Sequence, residues 1–221
     1  MVNWLSVIIG IVPALIWFFF FLQEDSRRPE PKGLIVSTFI LGGLATFIVL
    51  QLQFLFRHFA ESLGIKEYSP FSIFWLAGIE EVMKFLVVLF WISRRQEFDE
   101  PVDAMIYMII TALGFATVEN IASTSRSLNG FELVTLRFIG ANLLHSLSSG
   151  LVGFYWGDAL LQKKSVGQSI IIGLFLATLL HGVFNGLVLA FGPALYVTIF
   201  LVFVGFFILN DFEKLKRPVA V

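Results

Sequence analysis

Apolar runs of membrane-crossing length dominate this chain and restrict its fold more than any other feature. They fall at 2–22, 34–56, 71–92, 103–125, 135–157, 168–190 and 193–210. A helix needs about 20 predominantly apolar residues to cross a hydrocarbon core of about 30 Å. Seven such runs with short loops between them predict an all-α, polytopic membrane bundle of seven transmembrane helices. They form a single domain over 1–221, embedded among membrane lipids. Pro29, Pro31, Pro70, Pro101 and Pro193 fall between runs or at their starts, where a missing N–H is tolerated. The tightest boundary is at 190–193, in "AFGPAL". Only 14% of residues are charged and 57% are hydrophobic, whereas soluble domains carry about 25% charge. The 26 Phe are read as lipid-facing and packing mass. A net charge of −1 lacks the basic patch that a nucleic-acid partner requires. With no Cys, disulfides, thiol nucleophiles and thiolate metal sites are excluded. The run 2–22 has no basic segment before it and no small-x-small cleavage site ahead of "QEDSRR", so it reads as a spanning helix rather than a signal peptide.

Basic residues set the expected orientation, because loops rich in Lys and Arg stay in the cytoplasm. With seven spans, one side holds Arg27, Arg28, Lys32, Arg94, Arg95, Lys163, Lys164, Lys214, Lys216 and Arg217. The other holds Arg57, Lys66, Arg126 and Arg137. That imbalance predicts an N-terminus outside and a C-terminus in the cytoplasm of a cell-membrane protein.

The third run raises a problem. "FWLAGIEEVMKFLVVLFWI" carries Glu80, Glu81 and Lys84 in its middle, and a charge at a bilayer centre costs roughly 2.5–3.5 kcal/mol on insertion scales. These residues have company. Glu119 and Asn120 lie in "GFATVEN", Asn142, His145, Ser146, Ser148 and Ser149 in "NLLHSLSSG", and His181 and Asn185 in "HGVFNG". Glu80 with Lys84 and His181 with Asn185 are i,i+4 pairs, and Asn142 with His145 is i,i+3, so each pair shares a helix face. At 1.5 Å per residue, Glu80 and His145 lie about 15 Å from the outer ends of their runs, His181 about 13 Å and Glu119 about 9 Å. Four runs thus place ionisable groups in one layer, and a single water-accessible cavity is expected there.

Taken singly, each element has a plain structural reading. A Glu/Lys pair ties helices, an intramembrane His packs with a hydrogen bond, and the Gly/Ser/Ala face of the fifth run suits close packing. His58, beside Arg57 near a loop, reads as interfacial, and "QEDSRRPEPK" as a solvated loop. Convergence at one depth changes this, because ionisable clusters inside a membrane mark function. Three carboxylates and one Lys leave two negative charges, which protonation or a cation must neutralise. Two neutral His beside carboxylates supply the donors of a cysteine-free Zn²⁺ site; protonation of one Glu, its pKa raised by its charged neighbour, is the other solution. Charge arithmetic does not choose between a zinc cofactor and none. Buried Glu/His chains also serve proton- or cation-coupled transporters and channels, although those bring structural repeats and broken helices that are not evident here. A non-catalytic membrane assembly subunit is a further alternative.

"EEVMK", "FDEPVDAMIY" running into "LGFATVEN", a lone His on the next run and then "HGVFN" resemble the PrsW family of intramembrane proteases. That family lies within the wider CAAX prenyl protease and bacteriocin-processing superfamily. The resemblance extends from "EDSRRPEP" to the last run. It implies hydrolysis of a peptide bond in a single-pass membrane protein, such as an anti-sigma factor, near the outer leaflet. By motif, Glu80 and Glu81 match the paired glutamates, Lys84 the basic residue, Glu119 the second motif, His145 the separate His, and His181 with Asn185 the last motif. Ala104 and Met108 stand where the family pattern has Gly, and the last motif ends in Asn rather than Asp. Glu119 stands where the CAAX branch has His. The implied roles are Glu80 as base for water, with Glu81 and Lys84 as charge partners. His181 and Asn185 bind the oxyanion, or Glu119, His145 and His181 hold zinc. Asn120, Asn142 and Asp103 are expected as supporting residues.

Overall fold

A computed structural model of the chain describes residues 4–23, 28–124, 140–192 and 195–216. The described residues form seven helices and no strand: α1 Trp4–Leu22, α2 Lys32–Ser62, α3 Pro70–Trp91, α4 Asp103–Thr124, α5 Ala141–Leu161, α6 Val166–Phe191 and α7 Leu195–Leu215. This is the helical membrane bundle that the apolar runs predict. Among the described residues α2, α4 and α6 are long and apolar enough to cross a membrane; α3 is as long as α4 but carries the three central charges. Local chemistry sets several ends. Ser69 caps α3, its side chain accepting from Ser72 N at 3.2 Å, with Pro70 in the first turn. Pro31 precedes α2. Pro13 lies inside α1.

Three helices depart from the hydropathy reading by more than three residues, and one of them, α7, runs to Leu215 rather than 210. α2 runs on to Ser62 rather than 56, since "RHFAES" keeps helical geometry outside the apolar stretch. α5 is described from Ala141 to Leu161, later than the apolar run 135–157. The start of that run, with Arg126 and Arg137, lies outside the described residues, as do Arg27 and Arg217.

α4 is the axis of the bundle. From Asp103 to Thr117 every residue is buried, and α1, α2, α3 and α5 all contact it. A helix apolar on all sides belongs at such a centre. Lipid tails are as apolar as Leu, so contact between membrane helices depends on close approach through small residues. A Cβ on Gly42 of α2 would sit 2.1 Å from Thr111 O, and one on Gly114 of α4 would sit 1.9 Å from Phe39 O. On the other side, a Cβ on Gly157 of α5 would lie 2.1 Å from Pro101 O.

Alternate loops meet at each end, as successive crossings require. Arg28 pairs with Asp99 at 3.5 Å and Glu100 at 3.4 Å, joining the segments before α2 and before α4. At the opposite end, Arg57 pairs with Glu67 at 3.4 Å, closing the α2–α3 turn.

Candidate active site

Glu81 anchors the buried cluster. It is fully buried, and four donors converge on its carboxylate. Lys84 Nζ lies 2.8 Å and His181 Nδ1 2.7 Å from Oε1; Ser148 Oγ donates to Oε1 at 3.1 Å and Ser149 Oγ to Oε2 at 3.3 Å. Such a carboxylate is fixed in place and is held as an acceptor. The sequence pairs Lys84 with Glu80 at i,i+4, but its ion pair is with Glu81 at i,i+3. The reason is direction: Glu80 points from α3 towards α2, where Gln53 Nε2 donates to its Oε1 at 2.9 Å.

The two histidines stand on α5 and α6 with ring centroids 5.0 Å apart. Lys84 Nζ also meets His145 Nδ1 at 2.8 Å, and His145 Nε2 meets Glu119 Oε2 at 2.9 Å. An ammonium only donates and a carboxylate only accepts. His145 therefore accepts at Nδ1 and carries its proton at Nε2, towards Glu119. The same logic places a proton on His181 Nδ1, facing Glu81, and leaves the Nε2 lone pair free. His181 Nε2 lies 3.7 Å from Glu80 Oε2, a buried oxygen with no hydrogen-bond partner. One ligand atom from each of Glu80, His145 and His181 fits within 4.8 Å, a buried group able to hold a metal ion. An orphaned carboxylate oxygen facing an imidazole nitrogen, whose other nitrogen rests on a second carboxylate, suits a metal: bound histidines characteristically donate their remaining N–H to such a group.

Phe115 forms an apolar wall, with Lys84 Nζ 4.9 Å from its ring centroid and the His145 ring 5.6 Å away. Behind Glu119, Asn120 Nδ2 donates to Asn142 Oδ1 at 3.0 Å and to Gly10 O at 3.3 Å. This ties α1, α4 and α5 just beside the cluster. Glu119 is its most open acid, its side chain 29% exposed. A cavity of about 310 Å³ lies between α2 and α3, lined by Phe56, Arg57 and Ala60 on one helix and Ser72 and Leu76 on the other. Gln53 and Glu80 sit one turn further in, counted from Arg57 and Leu76.

The fold thus gathers Glu80, Glu81, Lys84, Glu119, His145 and His181, with Asn120 and Asn142 adjoining. Asn185 is half-buried, one turn from His181, and its side chain makes no hydrogen bond to any described residue. Asp103 does not join them. It sits at the other end of α4, about 24 Å along the helix from Glu119, where its Oδ2 accepts from Asp99 N at 2.9 Å and Glu100 N at 2.7 Å. Exposed His58 also stands apart. Gln53 escaped the sequence reading. Its signal was a pair of amides, Gln51 and Gln53, inside an apolar run, but ending α2 at 56 put them near a membrane edge.

Residues 30–209 match the model of a family described as "PrsW family intramembrane metalloprotease". Proteins named "Protease PrsW" are similar along most of the chain. The one from Geobacillus kaustophilus is 32% identical over 183 residues, covering 82% of this chain and 78% of its own. The Oceanobacillus iheyensis protein is 31% identical over 194 residues, 87% of each chain. The Bacillus subtilis protein is 27% identical over 210 residues, 94% of each. No solved structure matches.

Proposed function

The chain belongs to the PrsW family of intramembrane metalloproteases, and from that premise we propose how its cluster cuts and what it cuts. The membership sets aside the transporter and assembly-subunit alternatives. In our reading the substrate is a single-pass membrane protein, such as an anti-sigma factor. It is cut near the membrane face bearing the 63–69 turn, with that face outside and the C-terminus in the cytoplasm. Glu80, His145 and His181 hold a zinc ion. The observation that carries this ligand set is the buried, unpaired Glu80 Oε2 facing the free Nε2 of His181. It replaces the set Glu119, His145 and His181 that the family resemblance implies, because the group whose ligand atoms lie within 4.8 Å of one another is Glu80, His145 and His181.

Zinc there would supply a Lewis acid for the scissile carbonyl and bring the attacking water's pKa down towards neutrality. The chain's own groups do the rest. Glu81 holds His181 Nδ1–H, which fixes the tautomer that presents Nε2. For His145 to serve as a ligand its Nε2 proton must leave: it passes by way of Glu119 Oε2, 2.9 Å away, to solvent, while Lys84 Nζ supplies a proton to Nδ1, 2.8 Å away, so that Glu119 stays ionised. Glu119 is also the general base, in place of Glu80, because it is the carboxylate open to solvent while the free oxygen of Glu80 is buried. As the water oxygen bonds to the carbonyl carbon, its proton passes to Glu119. That proton then goes to the leaving nitrogen as the C–N bond breaks. Asn185, one turn outward from His181, donates its amide to the carbonyl oxygen as negative charge develops. The α2–α3 cavity beside the 63–69 turn is the approach from outside.

One observation favours a second, metal-free reading: the chain Lys84–His145–Glu119 is complete as it stands. Reconstituted cleavage of a single-pass substrate, with and without chelator, together with elemental analysis, separates the two. Zinc near one per chain and loss of activity on chelation are expected. Glu80→Gln should lose zinc and slow cleavage by about 10³-fold or more, with its melting temperature held. Full activity in Glu80→Gln would end the proposal; metal-free protein with full, chelator-resistant activity would leave only the second reading.

A further inference from the structure

We propose that Gln53 is a positioning residue of this centre, setting which oxygen of Glu80 faces the histidines; the inference rests on the ligand set above. The terminal torsion of a Glu side chain is broad and two-fold, so its two carboxylate oxygens are interchangeable until one is held. Gln53 Nε2 holds Oε1 at 2.9 Å. The other oxygen, Oε2, is thereby left unpaired and turned towards His181 Nε2. A carboxylate only accepts, so the amide nitrogen and not its oxygen must face Glu80.

The choice of an amide is informative. A Lys or Arg at 53 would hold Oε1 equally well but would neutralise Glu80 by ion pairing. A neutral donor fixes the carboxylate and leaves its charge for a cation. Glu81 shows the contrast within one turn: it has a full ammonium partner in Lys84 and no free oxygen. The two glutamates of "EEVMK" are thus distinguished by their partners, one locked as a support and the other tethered by one oxygen only. Gln53 also lies one helical turn inward of Arg57, which lines the α2–α3 cavity, so the tether stands between that approach and the centre.

The test uses the full chain, purified and reconstituted, with zinc as the probe. Gln53→Met keeps the length and removes the donor; Gln53→Glu keeps the shape and puts an acceptor in its place. Zinc affinity by competition with a chelator, kcat and KM on a single-pass substrate, and Tm are measured beside wild type and Glu80→Gln. Zinc affinity ten- to a hundredfold lower in Gln53→Met is expected, the range for lost outer partners of metal ligands. With it, kcat should fall at least tenfold, KM should stay within twofold, and Tm should hold. Gln53→Glu should be worse on both zinc and kcat. Wild-type zinc affinity and kcat in both variants, while Glu80→Gln loses both, would overturn the role of Gln53 and leave the centre standing. Zinc and cleavage retained in Glu80→Gln would instead remove the centre, and the inference with it. A wild type that cleaves without zinc would likewise remove the ligand set, and the inference with it. Should Gln53→Met fail to fold, Gln53→Asn, which keeps the amide on a shorter arm, carries the same comparison.

Discussion

Two buried carboxylate networks lie at different levels of this bundle, and their difference is instructive. At the loop end, Asp103 accepts two backbone N–H groups from the segment that precedes its own helix. Nearby, Tyr107 on α4 donates its hydroxyl to Glu30, before α2, and Arg28 reaches across to Asp99 and Glu100. These bonds tie loop segments to one another or to the first turns of α4. In the middle of the bundle, the partners of Glu80, Glu81 and Glu119 are side chains from α2, α3, α5 and α6. None of those bonds is needed to end a helix or turn a loop. A carboxylate bound to backbone stabilises the fold; carboxylates gathered on histidines and an ammonium, with one oxygen left over, are arranged for chemistry.

Substitutions should separate the two networks. The largest effect is expected at Lys84, where chemistry and fold are coupled. Its ammonium is fully buried and serves both Glu81 and His145. Breaking a buried ion pair from one side costs about 3–5 kcal/mol. Lys84→Met should therefore abolish cleavage and lower Tm by roughly 10 °C, whereas Glu80→Gln abolishes cleavage alone. Thermal melts of the two side by side measure this; a Lys84→Met protein that melts like wild type would show that the ammonium is not what holds the centre together.

Asp103→Ala should give the opposite pattern. Losing an ionised acceptor shared by two backbone N–H groups costs about 2 kcal/mol, so Tm should fall, with kcat per folded molecule within twofold of wild type. A kcat loss of tenfold at unchanged Tm would reconnect Asp103 to the chemistry across the bundle.

How much of this was legible in the sequence follows from the same contrast. The helices were legible because length and apolarity alone report them: α3 and α4 begin and end within a residue of their apolar runs. The charged residues were legible because a charge in an apolar run is costly wherever it points. Direction was not legible. Asp103 sits in a charged motif at the start of α4 and reads as one more acid, while its bonds to Asp99 N and Glu100 N depend on how the loop folds back. The i,i+4 spacing of Glu80 and Lys84 places them on one face, yet Lys84 turns to Glu81 because α5 and α6 bring His145, Ser148 and His181 to that side. Depth was legible only as far as the helix ends were. The moved end of α2 brings Gln53 to about 13 Å from Ser62, level with Glu80, and it was this shift that concealed its partnership.

The smallest expected effect concerns pH at the loop end. Glu30 lies in the segment before α2, and burial raises its carboxyl above the ordinary value, with Asp99 and Glu100 adding to the rise. Hydrogen bonding with Tyr107 and Asp103 acts the other way without cancelling it. A carboxyl whose folded-state pKa is raised binds its proton more tightly folded than unfolded. Its contribution to stability is thus complete below the unfolded value near 4.5 and is lost as pH rises through the folded value. Glu30→Gln mimics the protonated form at every pH. Wild type and variant should therefore have similar stability below about pH 4.5 and diverge above it, wild type falling relative to the variant. A single proton limits the divergence to at most about 1.4 kcal/mol per pH unit. Thermal melts across pH 4 to 8 measure the difference. Parallel curves would mean that Glu30 keeps an ordinary carboxyl and that its bond with Tyr107 compensates for its burial. Divergence without any change in the pH profile of cleavage would confirm that this network, unlike the central one, acts on the fold alone.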